Sequence, residues 1–315
     1  MKLIIQIPCF NEEQSLPATF IDLPKRIEGI DKIEVLVVDD GSTDRTAAVA
    51  EALGVHHIVR FKANRGLARA FEAGLERCLA EGADIIVNTD ADNQYRGQDI
   101  EPLVRPILDG RADAVVGDRQ TDGIEHFTRG KKFLQKWGSS AIRRLSGTQV
   151  RDAVSGFRAF SRQTAIRLNI LSDFSYTVEN LIQLGDKRLK VLSVPIRTNG
   201  QTRPSRLFRS VPHFIANQLA TLLRIYSTYR PLRVFSAIGI LLMLPGLVGF
   251  IRFIYFYFVD GGLGHIQSLV FSAVSLNLGF LVIVFGILAD LIANNRKLIE
   301  KLLIHQRDEK WNKPS

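Results

Sequence analysis

The chain has only two cysteines, Cys9 and Cys78, too few for the disulfide framework of a small secreted scaffold. It has no Gly-x-Gly-x-x-Gly after a strand and no Walker loop, so dinucleotide-binding and P-loop readings lack support. Internal repeats and low-complexity tracts are absent too. At 46% hydrophobic and 23% charged residues, the composition is that of a folded chain and not of a disordered tail. The first 196 residues carry no net charge, with 27 Lys+Arg against 27 Asp+Glu. The whole excess of +9 lies in residues 197–315, with 14 basic and 5 acidic residues. A nucleic-acid binder more often spreads basic residues over a folded face, so no nucleic-acid partner is expected. Basic residues flanking apolar runs point to a membrane surface instead.

The first apolar run, Leu3 to Ile7, is short, stops at Pro8 and is followed by Glu12 and Glu13. It does not read as a secretory signal, and the N-terminal part is expected in the cytoplasm. Two later runs are of another kind. Val234 to Ile251 is 18 residues without a charge and continues past Arg252 to Val259, and Ile266 to Ala289 is 24 residues without a charge. About 20 helical residues cross a hydrocarbon core of about 30 Å, so both qualify as spans. Two buried helices of a soluble core are the competing reading. Arg252, near the far end of the first span, can snorkel to the headgroups. The connecting loop Asp260–His265 has no Lys or Arg, whereas Arg224, Arg230 and Arg233 precede the hairpin and Arg296, Lys297, Lys301, Arg307, Lys310 and Lys313 follow it. The positive-inside rule then puts both ends in the cytoplasm. Arg197 to Arg233 holds seven arginines and no acid. Within it, Val211, Phe214, Ile215, Leu219, Leu222, Leu223 and Tyr226 recur at helical spacing, which predicts an amphipathic interface helix. An ordinary surface helix packed on the soluble domain is the alternative. The expected organisation is an N-terminal domain over 1–207, a juxtamembrane helix over 208–230, two transmembrane helices over 231–292 and a basic tail over 293–315. The N-terminal domain would face the cytoplasm from the plasma (inner) membrane.

The first 120 residues alternate strand and helix. Strands are expected at Lys2–Pro8, Ile33–Asp39, His57–Phe61, Asp84–Asn88 and Ala114–Gly117. Helices are expected at Leu16–Ile27, Asp44–Leu53, Leu67–Ala80 and Ile100–Leu108. Continuous apolar strands such as Val35–Val38 suit a parallel sheet covered on both faces, and the alternation predicts an α/β, Rossmann-like, mostly parallel layer. Ligands on such sheets bind beyond the carboxyl ends of the strands. There the sequence places Pro8-Cys-Phe-Asn-Glu12, Asp39-Asp-Gly-Ser-Thr-Asp-Arg-Thr46, Asn64-Arg-Gly66, Asp90-Ala-Asp-Asn-Gln94 and Gly117-Asp-Arg119. Asp90 and Asp92, one residue apart at a strand end, can converge on one hard cation, and Gln94 adds a neutral oxygen. Alone such a pair reads equally as a solvated loop. Four neighbouring polar strand ends favour a site.

These loops together resemble the GT-A glycosyltransferases of the large inverting family 2, and in particular the branch of dolichol-phosphate mannose synthases and polyprenyl-phosphate glycosyltransferases. The likeness covers about residues 1–210. It implies that Pro8, Phe10, Glu12, Val38 and Asp40 line the nucleotide. It further implies that Asp90, Ala91 and Asp92 form the metal and diphosphate motif, with Asp92 and Gln94 as ligands of Mg²⁺ or Mn²⁺ and Asp90 acting directly or through water or the diphosphate. Arg119 matches an arginine near the sugar or diphosphate. Asp152-Ala-Val-Ser-Gly-Phe-Arg158 matches the acceptor-side segment, through Ser155 and Arg158. Arg203 and Arg206 match a basic loop that closes on phosphates. Departures are Phe10 for a commoner tyrosine, Asn93 for a frequent leucine, and Arg203-Pro-Ser-Arg206 for a Gly-x-Ser-Lys form. They bear on donor and acceptor identity.

The charge of a leaving diphosphate calls for a cation at Asp92 and guanidiniums at Arg119, Arg203 or Arg206. Members acting on hydroxyls often carry a Glu-Asp pair as base, whereas here Tyr176-Thr-Val-Glu-Asn180 offers Glu179 with no Asp after it. Glu179 is read either as an acceptor-side group or as the partner of an arginine. A phosphomonoester, with a second pKa near ~6, needs little help from a base. The expectation is therefore transfer of a hexose from a GDP- or UDP-sugar to a polyprenyl phosphate, dolichyl or undecaprenyl. Transfer to a lipid or glycan hydroxyl is the alternative. A non-catalytic membrane adaptor is disfavoured by the intact Asp90, Asp92, Gln94 and Arg119. Homo-oligomerisation is left open. Cys9 is expected to be a small buried hydrophobe.

Overall fold

The computed structural model describes residues 1–120, 140, 142–143, 146–170, 176–199, 227, 229–261 and 265–311. Arg203, Arg206 and nearly all of the expected amphipathic helix over 208–230 lie outside the described residues. The chain separates into two compact units, one of residues 1–216 with 304–315 and one of residues 217–303.

The first unit is a seven-stranded sheet flanked by helices. In chain order it contains β1 (Lys2–Cys9), α1 (Leu16–Asp22), β2 (Lys32–Asp39), α2 (Thr46–Ala52), β3 (His57–Arg60), α3 (Leu67–Ala80) and β4 (Ile85–Asn88). There follow α4 (Ile100–Leu108), β5 (Ala114–Asp118), β6 (Arg158–Ser161), α5 (Arg162–Arg167), α6 (Tyr176–Asp186) and β7 (Val191–Pro195). The strand order is β3-β2-β1-β4-β6-β5-β7. β6 alone is antiparallel to its neighbours, pairing Asn88 with Arg158 on β4 and Val116 with Arg158 on β5. The apolar runs of β1, β2, β4 and β5 are buried along nearly their whole length, as strands covered on both faces must be. The expected helix over Leu16–Ile27 stops at Asp22. Leu23 turns to extended backbone (ψ 141°) ahead of Pro24, which disfavours helical geometry in the residue before it. Asp44 stays outside α2 because its carboxylate accepts from the Thr46 backbone N–H at 2.9 Å, closing the turn that starts the helix.

The second unit contains α7 (Pro231–Asp260) and α8 (Ile266–Trp311) as far as Leu303, both helices long and apolar enough to cross a membrane. Their large hydrophobic side chains are mostly exposed, the pattern of lipid-facing helices and not of a soluble core. The residues of α8 that are buried, Ser272, Gly279, Gly286, Ala293 and Glu300, recur every seven positions. A Cβ on Gly279 would stand 2.6 Å from Gly239 O of α7, so small residues are what let the two backbones meet. Ser275 Oγ donates across to Leu242 O at 2.6 Å. Arg252 lies with its guanidinium 5.7 Å from the Phe256 ring centroid. The last turns of α8 group with the first unit. There Arg307 donates to Leu168 O at 2.7 Å and pairs with Glu76, and Arg162 donates to Trp311 O.

Candidate active site

The carboxyl ends of β1, β2, β4 and β5 and the amino end of β6 share one edge of the sheet. Antiparallel insertion of β6 is what brings the segment before it, Asp152 to Phe157, to the same edge as the loops that follow the parallel strands.

The loops after β1 and β2 interlock. Asp40 N–H donates to Cys9 O at 2.8 Å, and the Asp40 carboxylate accepts from the backbone N–H groups of Arg65 (2.7 Å) and Gly66 (2.9 Å). Burial raises the Asp40 pKa above the ordinary value, against the pull of those two donors. Asn11 takes a left-handed conformation (φ 54°), and its side-chain carbonyl accepts from Thr43 N–H at 2.8 Å. Asn11 N–H donates to Ser42 Oγ at 3.0 Å. Glu12 is buried; its N–H donates to Thr46 Oγ1 (2.8 Å) and its carboxylate accepts from Ser15 Oγ at 2.5 Å. Pro8 and Val38 sit opposite one another in the β1–β2 register, and Phe10 is exposed beside them. Cys9 is buried with Sγ on Ile7 O, and burial pushes its thiol well up, as expected for a small hydrophobe.

The Asp90–Gln94 loop is held from several sides. Thr19 Oγ1 donates to Ala91 O at 2.9 Å, and Gln94 N–H donates to Asp92 Oδ1 at 3.1 Å. The Asp90 carboxylate comes close to Gly156: a Cβ placed there would lie 3.0 Å from Asp90 Oδ1 and 3.0 Å from the Tyr176 hydroxyl oxygen. A side chain there would press on both, so glycine suits the place where the Asp90 loop and the Asp152–Phe157 segment approach one another. Gly156 is fixed in turn, since Asn88 Nδ2 donates to its carbonyl (2.8 Å) and its N–H donates to the Tyr95 hydroxyl (3.3 Å). Tyr95 stacks on Phe157, and burial pushes its phenol up to about 12.

Arg119, just past β5, donates from Nε (2.6 Å) and Nη2 (3.0 Å) to the two oxygens of Asp152. Burial works against its charge, but Tyr95, Asp152 and Asp90 more than offset this and raise its pKa. Arg158 is placed differently from the expectation. It is fully buried beneath the loop, with Nε on Ser155 O (2.8 Å), Nη1 on Thr177 O (2.7 Å) and Nη2 on Ala153 O (2.8 Å). Burial lowers its pKa to about 10, so it remains a cation that props up the acceptor-side loop from below. Ser155 is fully buried as well, and Glu179 is buried on α6 where Gln183 Nε2 lies 3.4 Å from its carboxylate. Sequence reasoning named the Asp152 motif but not the Asp152 clamp, and it missed Asn88, Tyr95 and Tyr176. Asn88 ends an apolar strand and Tyr176 opens a helix, whereas Tyr95 directly follows the Asp90–Gln94 loop and has no such signal.

The donor set fits a hard divalent cation that shares its coordination with a ligand. Among the described residues no group of three or more His, Cys, Asp or Glu side chains is placed to hold a metal. Two carboxylates and an amide on one loop leave coordination positions for water and diphosphate oxygens, as Mg²⁺ and Mn²⁺ sites for nucleotides do.

Solved structures similar in fold include glucosyl-3-phosphoglycerate synthase from Mycobacterium tuberculosis, with a TM-score of 0.55 and 22% identity over 72% of this chain and 80% of that one. That protein has been solved with Mn²⁺, UDP-glucose and phosphoglyceric acid. Among curated relatives, the glycosyltransferase AglJ of Haloferax volcanii is 28% identical over 95% of this chain and 97% of its own length. The dolichol-phosphate mannosyltransferase of Pyrococcus furiosus is 30% identical over 64% of this chain and 59% of its own. The undecaprenyl-phosphate mannosyltransferase of Micrococcus luteus is 29% identical over 62% and 83%. The family model described as glycosyl transferase family 2 matches residues 4–168, and the chain, a glycosyltransferase with a GT-A fold, belongs to that family.

Proposed function

We propose that this glycosyltransferase is a membrane-anchored inverting enzyme that moves a hexose from a GDP- or UDP-sugar to a polyprenyl phosphate at the cytoplasmic leaflet. The observation that supports this reading is the close approach of the Asp90 carboxylate to Gly156, where an added Cβ would lie 3.0 Å from Asp90 Oδ1. It joins the diphosphate motif to the acceptor-side segment, four residues from the carboxylate that holds Arg119. Donor and acceptor then meet over one short stretch of the sheet edge.

In the reaction an acceptor phosphate oxygen attacks the anomeric carbon, the bond to the diphosphate breaks with inversion, and the nucleoside diphosphate leaves. A phosphomonoester is mostly a dianion above its second pKa of about 6, so no side chain has to remove a proton. That agrees with a sequence in which Glu179 is followed by Asn180. Asp92 and Gln94, with Asp90, would hold Mg²⁺ or Mn²⁺, which supplies charge stabilisation to the leaving diphosphate. Arg119 adds a fixed positive charge to the same edge, and Arg203 and Arg206 are assigned to the phosphates from sequence alone. Pro8, Phe10, Glu12, Val38 and Asp40 form the nucleotide side. We divide the chain into a catalytic domain over 1–207, a juxtamembrane helix over 208–230, a transmembrane hairpin over 231–292 and a basic tail. The cationic flanks of the hairpin favour a cytoplasmic catalytic domain at the plasma membrane.

The test offers the purified full chain a panel of radiolabelled GDP- and UDP-sugars with polyprenol and polyprenyl phosphate side by side. Transfer to the phosphate alone supports the proposal. Equal or better transfer to the free alcohol replaces it with a hydroxyl-acceptor enzyme.

A further inference from the structure

The loop that carries Asp92 and Gln94 is held from outside. Asn93 has a left-handed backbone (φ 55°), a conformation that few residues other than glycine, asparagine and aspartate adopt. The backbone carbonyls of this turn also need donors.

One residue supplies most of what is missing. Asn199, beyond the end of β7, donates from Nδ2 to Asn93 O at 2.9 Å and from its backbone N–H to Gln94 O at 2.9 Å. Its side-chain oxygen accepts from Arg96 Nε at 3.1 Å, which orients the amide so that Nδ2 faces the turn. Around it, Thr198 bridges Tyr95 in antiparallel fashion and Arg197 N–H donates to Asp99 Oδ2 at 2.8 Å. Ile196 N–H continues the β5 pairing on Asp118 O at 2.9 Å. The segment 196–199 is thus a clasp that runs from the sheet to the turn, anchored at each residue.

We infer that Asn199 is a positioning residue for the divalent-cation site: it fixes the Asn93 and Gln94 carbonyls, and so sets the spacing between the Asp92 and Gln94 side chains. This inference rests on the metal reading of the site given above. Groups that orient metal ligands typically contribute about 10- to 100-fold in metal affinity. A residue that served only the fold would lower stability and leave the affinity of the folded protein unchanged.

The experiment titrates Mn²⁺ into the full-length protein in detergent, with UDP or with GDP, and reads free aqueous Mn²⁺ by electron paramagnetic resonance. A thermal melt of each variant accompanies it. For Asn199→Ala we expect Mn²⁺ affinity to weaken about 10- to 100-fold, with turnover largely recovered at saturating Mn²⁺. An affinity within twofold of the unsubstituted protein overturns the role of Asn199 and leaves the metal site standing. If the unsubstituted protein shows no nucleotide-dependent Mn²⁺ binding at all, the metal reading itself fails and takes this inference with it. Should Asn199→Ala not fold, Arg96→Leu removes only the bond that orients the amide. Unchanged Mn²⁺ affinity in that variant overturns the inference, and weakening by about threefold or more supports it.

Discussion

Arg119 donates from Nε and Nη2 to both oxygens of the Asp152 carboxylate, so the cation at the end of β5 is aimed by the segment that precedes β6. The pair is bidentate and mostly buried, the geometry in which an arginine–carboxylate contact is strongest. Asp152→Asn keeps the shape and puts an amide N–H₂ where one oxygen accepted. Loss of one charge-assisted bond is worth about 1.5–3 kcal/mol, so kcat/KM should fall by roughly 10- to 150-fold. Steady-state kinetics on protein with an unchanged melting temperature checks this. Wild-type turnover would show that Arg119 needs no clamp.

Asp92→Asn should lower turnover by at least ~10²-fold, the scale of losing electrostatic stabilisation at a charged centre. EDTA should abolish transfer by the unsubstituted enzyme, and added Mg²⁺ or Mn²⁺ should restore it. Full activity in EDTA would remove the metal from the mechanism.

Arg158→Lys should destabilise the protein and lower activity in step with the folded fraction. A lysine cannot reach Ala153 O, Ser155 O and Thr177 O together from one rigid fork. It would leave buried carbonyls without donors beside a buried charge, a loss of about 3–5 kcal/mol. Thermal melts and the kcat of the folded fraction separate this from a direct contact to substrate. A stable but inactive variant would return Arg158 to the acceptor site.

Much of the sheet was legible in the sequence, because Leu3–Ile7, Val35–Val38, Ile85–Val87 and Ala114–Val116 are apolar runs with polar residues at one end, and those ends converge as a doubly wound sheet requires. β6 was not legible. Arg158-Ala-Phe-Ser161 is four residues long and opens with a charge, so nothing in its pattern marks a central strand. The family resemblance assigns Arg158 to the acceptor side, and its full burial has no mark in the sequence. The carbonyls that hold it come from two segments, the nearer three residues away and the farther 19, and that arrangement exists only in the folded chain. Asn199 sits at the head of a basic stretch that reads by charge alone, and its bonds to residues 93, 94 and 96 have no local signature. Arg203, Arg206 and the interface helix rest on the sequence, since they lie outside the described residues.

A pH dependence of stability belongs to the far edge of the sheet. Burial would raise the Glu34 carboxyl, but Lys2, Lys32 and His57 converge on it and hold it at about 2. Its folded pKa is therefore depressed. The stabilisation is fully present above the unfolded value of about 4.3 and is lost as pH falls from there through about 2. Discounted for the exposed Lys32, it amounts to about 2 kcal/mol. Hydrogen exchange followed by mass spectrometry on β1 and β2 peptides should show protection collapsing across that window. Glu34→Gln should have lower protection at neutral pH and a flatter acid limb.

Transfer to a polyprenyl phosphate should weaken as pH falls through about 6, because the monoanion is the poorer nucleophile. The kcat/KM profile for the lipid should carry this limb even in Glu179→Gln. A limb that disappears with that substitution would assign the titration to the protein and favour a base-assisted reaction.

The reversed direction of β6 separates two kinds of change that the sheet edge can undergo. The loops after β1, β2 and β4 leave their strands and lead into helices, so a residue inserted there acts on the helix that follows. The segment Asp152–Phe157 enters its strand instead, so a change there acts on the pairing of β6 with β4 and β5. Under the proposed function, that segment is the place to exchange one acceptor for another on an unaltered donor scaffold.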